Sequence, residues 1–208
     1  MNQTGLRRVF AVLAVLAVIG ATLLTTAPAQ AGSATWRAVI TFNKSPRNPA
    51  NSRISWTVVH LEHGKWVVRD HASWRAGSGM LGRAGRNSCA KGLGWLPNGD
   101  YAEQLYDDYE GSLIKGRAFR ISDHRCHNGT LRQDLFIHSE QGSHNTQCPN
   151  RPGDQACRWE YPKINDYKSR GCIKMSPGDL ASLVRHYHRF FRAGARYPMS
   201  RVMVRVVS

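Results

Sequence analysis

The segment DYKSRGCIKMSPGDL, Asp166 to Leu180, contains the residue types of a reactive thiol centre in Ser169, Arg170, Gly171 and Cys172. A nucleophilic thiol needs a base for its proton, a setting that favours the sulfur anion, and donors for the oxyanion that its attack creates. His138, which ends the run Asp134-Leu135-Phe136-Ile137-His138, is the candidate base, with Ser139 beside it and His144 next in line. Ser169 is small, Arg170 is a cation able to lower the thiol pKa or hold a substrate carboxylate, and Gly171 lets a substrate approach the backbone. The backbone N–H groups around Gly171 and Cys172 are the candidate oxyanion donors.

Whether Cys172 is a nucleophile depends first on redox compartment. Arg7 and Arg8, the uncharged apolar run from Val9 to Leu24, and the A-x-A site Ala29-Gln30-Ala31 read as an export signal over 1–31, with 32–208 as a single catalytic domain. A retained membrane anchor is the competing reading, and no later segment is long and apolar enough to span a bilayer. Of the five cysteines, an odd count for an oxidising compartment, one is left over. With Cys172 as the free thiol, three pairings of the others are possible. Cys148 with Cys157, close together in QCPNRPGDQAC, and Cys89 with Cys126 are favoured. His124, Cys126 and His127 group together in DHRCHNG, yet a zinc site usually needs a second spaced ligand pair, so no metal is expected.

The formal charge of +15 favours anionic partners, and removing residues 1–31 takes away only two arginines and no acids. The arginines are scattered, with no Lys/Arg block and no nucleic-acid motif, so no specific nucleic acid is expected.

These residues must be positioned by a mostly β scaffold. Ile54–His60 and Lys65–Arg69 are β-branched and aromatic runs joined through Gly64, a hairpin pattern. Further strands are expected within 113–121, 133–138 and 202–207, separated by Gly-rich turns at 76–85, 91–94 and 96–100. Ser176-Pro177-Gly178-Asp179 signals a helix N-terminus, and Leu180, Leu183, Val184, Tyr187, Phe190 and Phe191 recur at helical spacing until Gly194. His186 and His188 on this helix read as surface or core-edge residues. A shorter helix is a candidate over Tyr101 to Tyr109. Cys172 stands just upstream of the longer helix, where the positive end of the macrodipole favours a thiolate.

IHS at 137–139 followed by SRGCIKM at 169–175 closely resembles the signature of L,D-transpeptidase catalytic domains, the YkuD-like family, in which a histidine precedes a Ser/Thr, His/Arg, Gly, Cys motif. GLGWLPNGDY, Gly92 to Tyr101, resembles that family's Pro-x-Gly-x-Phe/Tyr segment, and the resemblance covers roughly 50–206. It implies a mainly β fold, a mixed-sheet β-sandwich with a helix in the C-terminal half, and acyl transfer on peptidoglycan stem peptides. Cys172 would attack the amide carbonyl before a terminal D-residue, His138 would act as base and acid, and an amine of a neighbouring stem would resolve the thioester into a cross-link. No metal or organic cofactor is implied. The implied partners are stem peptides and anionic cell-wall polymers, met as a secreted, wall-associated monomer without a transmembrane span after processing.

The chain departs from the family pattern in places. Arg170 stands where histidine is common, Lys174 where arginine or asparagine is common, and the segment from 139 to 168 is long and carries Cys148 and Cys157. A disulfide there would stiffen the insertion as a wall or lid over the site. Resolution by water would instead give an L,D-carboxypeptidase or wall endopeptidase with the same thiol. The non-enzymatic alternative is a basic wall-binding protein in which Cys172 is buried or bridged. Rapid alkylation is the expected mark of an activated thiol.

Overall fold

Strand β1, Trp36–Asn43, alternates Ala38, Ile40 and Phe42 inward with Arg37 and Thr41 outward, the period of a strand buried on one face. The structure, a computed structural model, describes residues 35–208, so the export signal expected over 1–31 lies outside the described residues. Strands β2 (Ser52–Glu62) and β3 (Lys65–Ala76) form the expected hairpin, longer than its sequence signal. His63 and Gly64 make its turn with φ of 48° and 78°, the left-handed pair that a tight hairpin requires. One turn of helix, α1 (Gly82–Gly85), leads towards β4 (Gly99–Tyr101).

β5 (Glu103–Glu110) and β6 (Lys115–Ile121) then pair antiparallel, so the short helix proposed over 101–109 is instead strand. The cause is tertiary: Glu103 and Leu105 turn inward and Gln104 and Tyr106 outward, in register with β6. Short strands β7 (His124–Arg125) and β8 (Leu131–Arg132) form a ribbon, followed by β9 (Leu135–His138) and β10 (Ile173–Lys174). Helix α2 (Pro177–His188) starts where expected, with Ser176 Oγ accepting the Asp179 N–H at 3.1 Å. It ends before Phe190, short of Gly194. β11 (Val202–Val207) closes the chain.

The strands form a five-stranded sheet in the order β3-β2-β1-β11-β4, a four-stranded sheet in the order β10-β9-β6-β5, and the β7-β8 ribbon. Pairs β1–β11 and β9–β10 are parallel and the others antiparallel. The protein is therefore mainly β with mixed sheets, as expected. The two larger sheets share one core: Ile40, Phe42, Trp56 and Val204 from one, Leu105, Phe119, Ile137 and Ile173 from the other, with Leu180, Leu183 and Tyr187 of α2. β1 lies in the middle of its sheet, ahead of the 50–206 span that carries the family resemblance.

His186 pairs with Asp70 at the part-buried edge of the core and His188 with Asp107 on the surface, each at 2.7 Å. The disulfides are Cys89–Cys126 and Cys148–Cys157, the favoured pairing, and Cys172 is the free cysteine. The first bridge removes the zinc reading of the 124–127 cluster, because a sulfur bonded to sulfur is no thiolate ligand. Among the described residues no helix is long and apolar enough to cross a membrane.

Candidate active site

β9 lies between β6 and β10, and all four of its residues are buried. Leu135 and Ile137 enter the core, so strand alternation sends Phe136 and His138 to the opposite face. In the parallel pair, Ile173 matches Ile137 and Lys174 matches His138. One residue earlier, Cys172 falls level with Phe136 and on the face that carries His138 and Lys174. The register thus sets Cys172, one residue ahead of β10, on the face that carries His138, with its sulfur hydrogen-bonded to the Asp134 carbonyl and not to the imidazole.

Across β6 the same face carries Ala118, paired with His138, and then Tyr106 of β5. Tyr109 packs at 5.1 Å from the Phe136 ring and 5.3 Å from Tyr106, forming an aromatic shelf beside the thiol. Gly116, at φ 72°, makes room for the insertion, since a Cβ there would meet Gln141 Nε2 at 2.6 Å. Arg117 N–H donates to Asn145 Oδ1 at 2.6 Å and Gln141 Nε2 to the Arg117 carbonyl at 3.3 Å, holding the start of the insertion against β6.

His138 Nδ1 lies 2.9 Å from the Ser139 carbonyl. A carbonyl only accepts, so Nδ1 carries the hydrogen and Nε2 keeps its lone pair, the state of a general base. Burial, helped by the like charge of Lys174, lowers the imidazole pKa to about 4, while the Ser139 carbonyl acts the other way. Burial pushes the Cys172 thiol up to about 11 despite the Phe136 amide, Lys174 and Arg132, which pull it down. Its Sγ lies 3.6 Å from the Asp134 carbonyl, a contact that suits a protonated thiol. Asp134 itself has φ 53°.

Both shifts favour the neutral forms, the direction opposite to the thiolate expected from the helix dipole, with the Cys172 side chain itself part-buried. The macrodipole fails because β10 separates Cys172 from the Ser176 N-cap, roughly 13 Å of extended chain, and the dipole's effect dies within a turn. Arg170 is exposed, and the cations that bear on the sulfur are Lys174 and Arg132.

Ser169 is a positioning residue. Its buried Oγ accepts the N–H of Gly79 and of Gly171, both at 3.2 Å, and donates to the Cys172 carbonyl. Because the Gly171 N–H is used inside the loop, it is not an oxyanion donor in this geometry. Gly171 has φ 128°, and a Cβ would meet Arg132 Nη2 at 2.1 Å. Gly77 joins β3 to Lys174 by reciprocal backbone bonds of 2.9 and 2.8 Å.

Arg132, absent from the sequence reading, is the clamp of this arrangement. It is 3% exposed and donates to the carbonyls of Ser88, Gly94, Trp95 and Arg170. It thereby joins the loop beside the Cys89–Cys126 bridge to the loop bearing the thiol. Ser139 is buried too, and its Oγ has no hydrogen-bond partner. Lys174 Nζ pairs with Glu140, two residues beyond the base. His144 pairs with Asp108 on β5, three strands away from β10, and does not join Cys172.

No protein-family profile matches the chain, and no curated protein matches it. Two solved structures are similar at the level of backbone. One is that of Bdellovibrio bacteriovorus Bd1075, 13% identical over 82% of this chain and 48% of that one, with a TM-score of 0.44. The other is the helical cell shape determining protein Pgp2 from Campylobacter jejuni, 14% identical over 82% of this chain and 47% of that one, with a TM-score of 0.43. The chain spans about half the length of each.

Proposed function

We propose that this chain is an extracytoplasmic cysteine acyltransferase acting on peptidoglycan stem peptides, an L,D-transpeptidase. One observation carries the reading: the single unbridged cysteine, one residue ahead of β10, and His138 at the end of β9, its Nε2 uncommitted to Ser139, fall on one face by the parallel register. The signature resemblance around His138 and Cys172 supplies the substrate class, and the two disulfides suit an oxidising compartment.

In this reading the Cys172 sulfur attacks the carbonyl carbon of the amide that precedes a terminal D-residue. His138 Nε2 takes the thiol proton and returns it to the departing amine, so the D-amino acid leaves and a thioester remains. The amine of a second stem then attacks the thioester carbon, gives its proton to His138, and the thiolate takes a proton back. The Cys172 N–H and the Ser139 hydroxyl are the candidate donors to the oxyanion or the bound peptide. The aromatic shelf and the 139–168 insertion form the walls that hold the stem. The basic chain favours retention on anionic wall polymers.

Incubating wild type and Cys172→Ala with purified tetrapeptide stems, followed by mass spectrometry, tests the reading. Loss of the terminal D-residue with a cross-linked dimer is expected from wild type and neither from the variant, whose fold should be unchanged. Equal product from both removes the nucleophile assignment. Trimmed monomer without dimer makes the protein an L,D-carboxypeptidase or endopeptidase on the same thiol.

A further inference from the structure

Glu140, Asp154 and Asp166 converge within the insertion: one carboxylate oxygen from each lies within 4.8 Å of the other two. Like charges gathered so closely repel unless something sits among them. Two of the three are also buried, Glu140 at 4% and Asp166 at 2% exposure. Glu140 spends Oε1 on Lys174 and leaves Oε2 without a partner. Asp166 spends Oδ2 on the N–H groups of Glu160 and Tyr161 and leaves Oδ1 without one. Asn165 Oδ1 is unpartnered as well, so the orphaned side-chain atoms of residues 140–166 are all acceptors. A buried acceptor without a donor is held at a cost in stability, a larger one when it is charged. Set against the one Lys174 ammonium, the three carboxyl groups leave two negative charges when all are ionised.

We propose that Glu140, Asp154 and Asp166 form a Ca2+ site. A divalent ion cancels the residual charge, and hard oxygen donors are the ligands Ca2+ takes at about 2.3–2.6 Å, a range that lets opposite ligands stand roughly 5 Å apart. Asp154 is exposed, so it gives the ion an entry path and leaves room for waters to complete the shell. The ion joins three pieces of chain. Glu140 follows the end of β9, Asp154 lies inside the loop closed by Cys148–Cys157, and Asp166 precedes Ser169. This site does not depend on the acyl-transfer reading, because none of its ligands belongs to the thiol machinery.

The test uses the full chain with its disulfides intact, stripped with EDTA and titrated with Ca2+ by calorimetry and by melting temperature. Binding in the range of about 0.1–1 mM is expected, typical of extracellular sites, with a melting temperature that climbs with Ca2+. Asp154→Asn, an exposed and fold-neutral change, should weaken binding at least tenfold. Absence of Ca2+ binding up to about 10 mM overturns the site. Undiminished binding in Asp154→Asn places the ion elsewhere and also overturns it. Equal affinity for Mg2+ overturns the assignment to Ca2+, since Mg2+ demands a tighter octahedron.

Discussion

On the side of Cys172 that faces the 77–96 segment, the polar groups are tied to one another: Ser169 Oγ to Gly79, Gly171 and Cys172, Arg132 to four carbonyls, Gly77 to Lys174. On the side of the insertion, Ser139 Oγ, Glu140 Oε2 and Asp166 Oδ1 are equally buried and have no partner. The contrast separates two duties. In the acyl-transfer reading a saturated network fixes Cys172 within the tolerance that chemistry demands, whereas unpartnered groups are held at a cost in stability and are available to a ligand. Substitutions on the first side should cost fold and rate together, and those on the second should cost ligand binding with little loss of fold.

The largest effect is expected where the sides meet, at His138. His138→Ala should lower kcat/KM by a factor on the order of 10² to 10⁴, the usual loss for a positioned acid–base group. The pH profile sharpens this. The base must be neutral, so activity should persist well below pH 6.5 and fall only as pH drops through about 4, where the buried imidazole takes up its proton. Folding follows the same sign. The depressed pKa contributes stability that is complete above about 6.5 and lost on the way down to about 4. Buried Glu103, raised to about 7, acts oppositely, contributing stability below 4.5 that is lost as pH rises through about 7. An acid limb near 6.5 in wild type would mean that the imidazole is exposed to water or that another group is the base.

Arg132→Met attacks the saturated side. It removes the shared donor from four carbonyls and should lower the unfolding free energy by about 3–5 kcal/mol, summing roughly 1 kcal/mol or slightly more for each group left unpaired. Urea denaturation with the disulfides intact measures it. Turnover of stem peptides should fall with it, because Gly171 rests directly on the guanidinium. Arg132→Lys should restore only part of both, since one ammonium cannot span the fork. If stability fell and turnover did not, the clamp would support the Cys89–Cys126 loop alone.

This clamp also marks where reading the sequence stops. The free Cys172 and the paired cysteines were legible because an odd count in an oxidising compartment leaves one over, and a ten-residue loop such as 148–157 favours its own closure. Hairpin β2–β3, helix α2 and strand β11 were legible because local period and capping agree with their tertiary place. Arg132 meets partners 37 to 44 residues away, and nothing adjacent to it in LRQDLFIHS announces them. β1 went unread although Ala38, Ile40 and Phe42 alternate, and its central place depends on Val202–Val207 at the other end of the chain. Leu105 and Tyr109 imitate a helical spacing that pairing with β6 overrides.

The smallest effect concerns Ser139, where the two sides predict opposite results. Its hydroxyl is buried and unpartnered, so the folded chain carries the cost of stripping water from a polar group without a bond in return. Were it part of the saturated network, Ser139→Ala would break a hydrogen bond and lower stability by about 1 kcal/mol. As a group held for a ligand, its removal should leave the melting temperature unchanged or slightly higher. Turnover of stem peptides should separate the duties further. Loss of a donor to bound peptide raises KM with kcat kept, and loss of a donor to the oxyanion lowers kcat and kcat/KM together. Ser139→Thr retains the hydroxyl and should recover the loss only if the added methyl group fits beside His138. A variant with lower stability and unchanged kinetics would move Ser139 to the structural side and leave Glu140, Asp154 and Asp166 as the ligand-directed groups of the insertion.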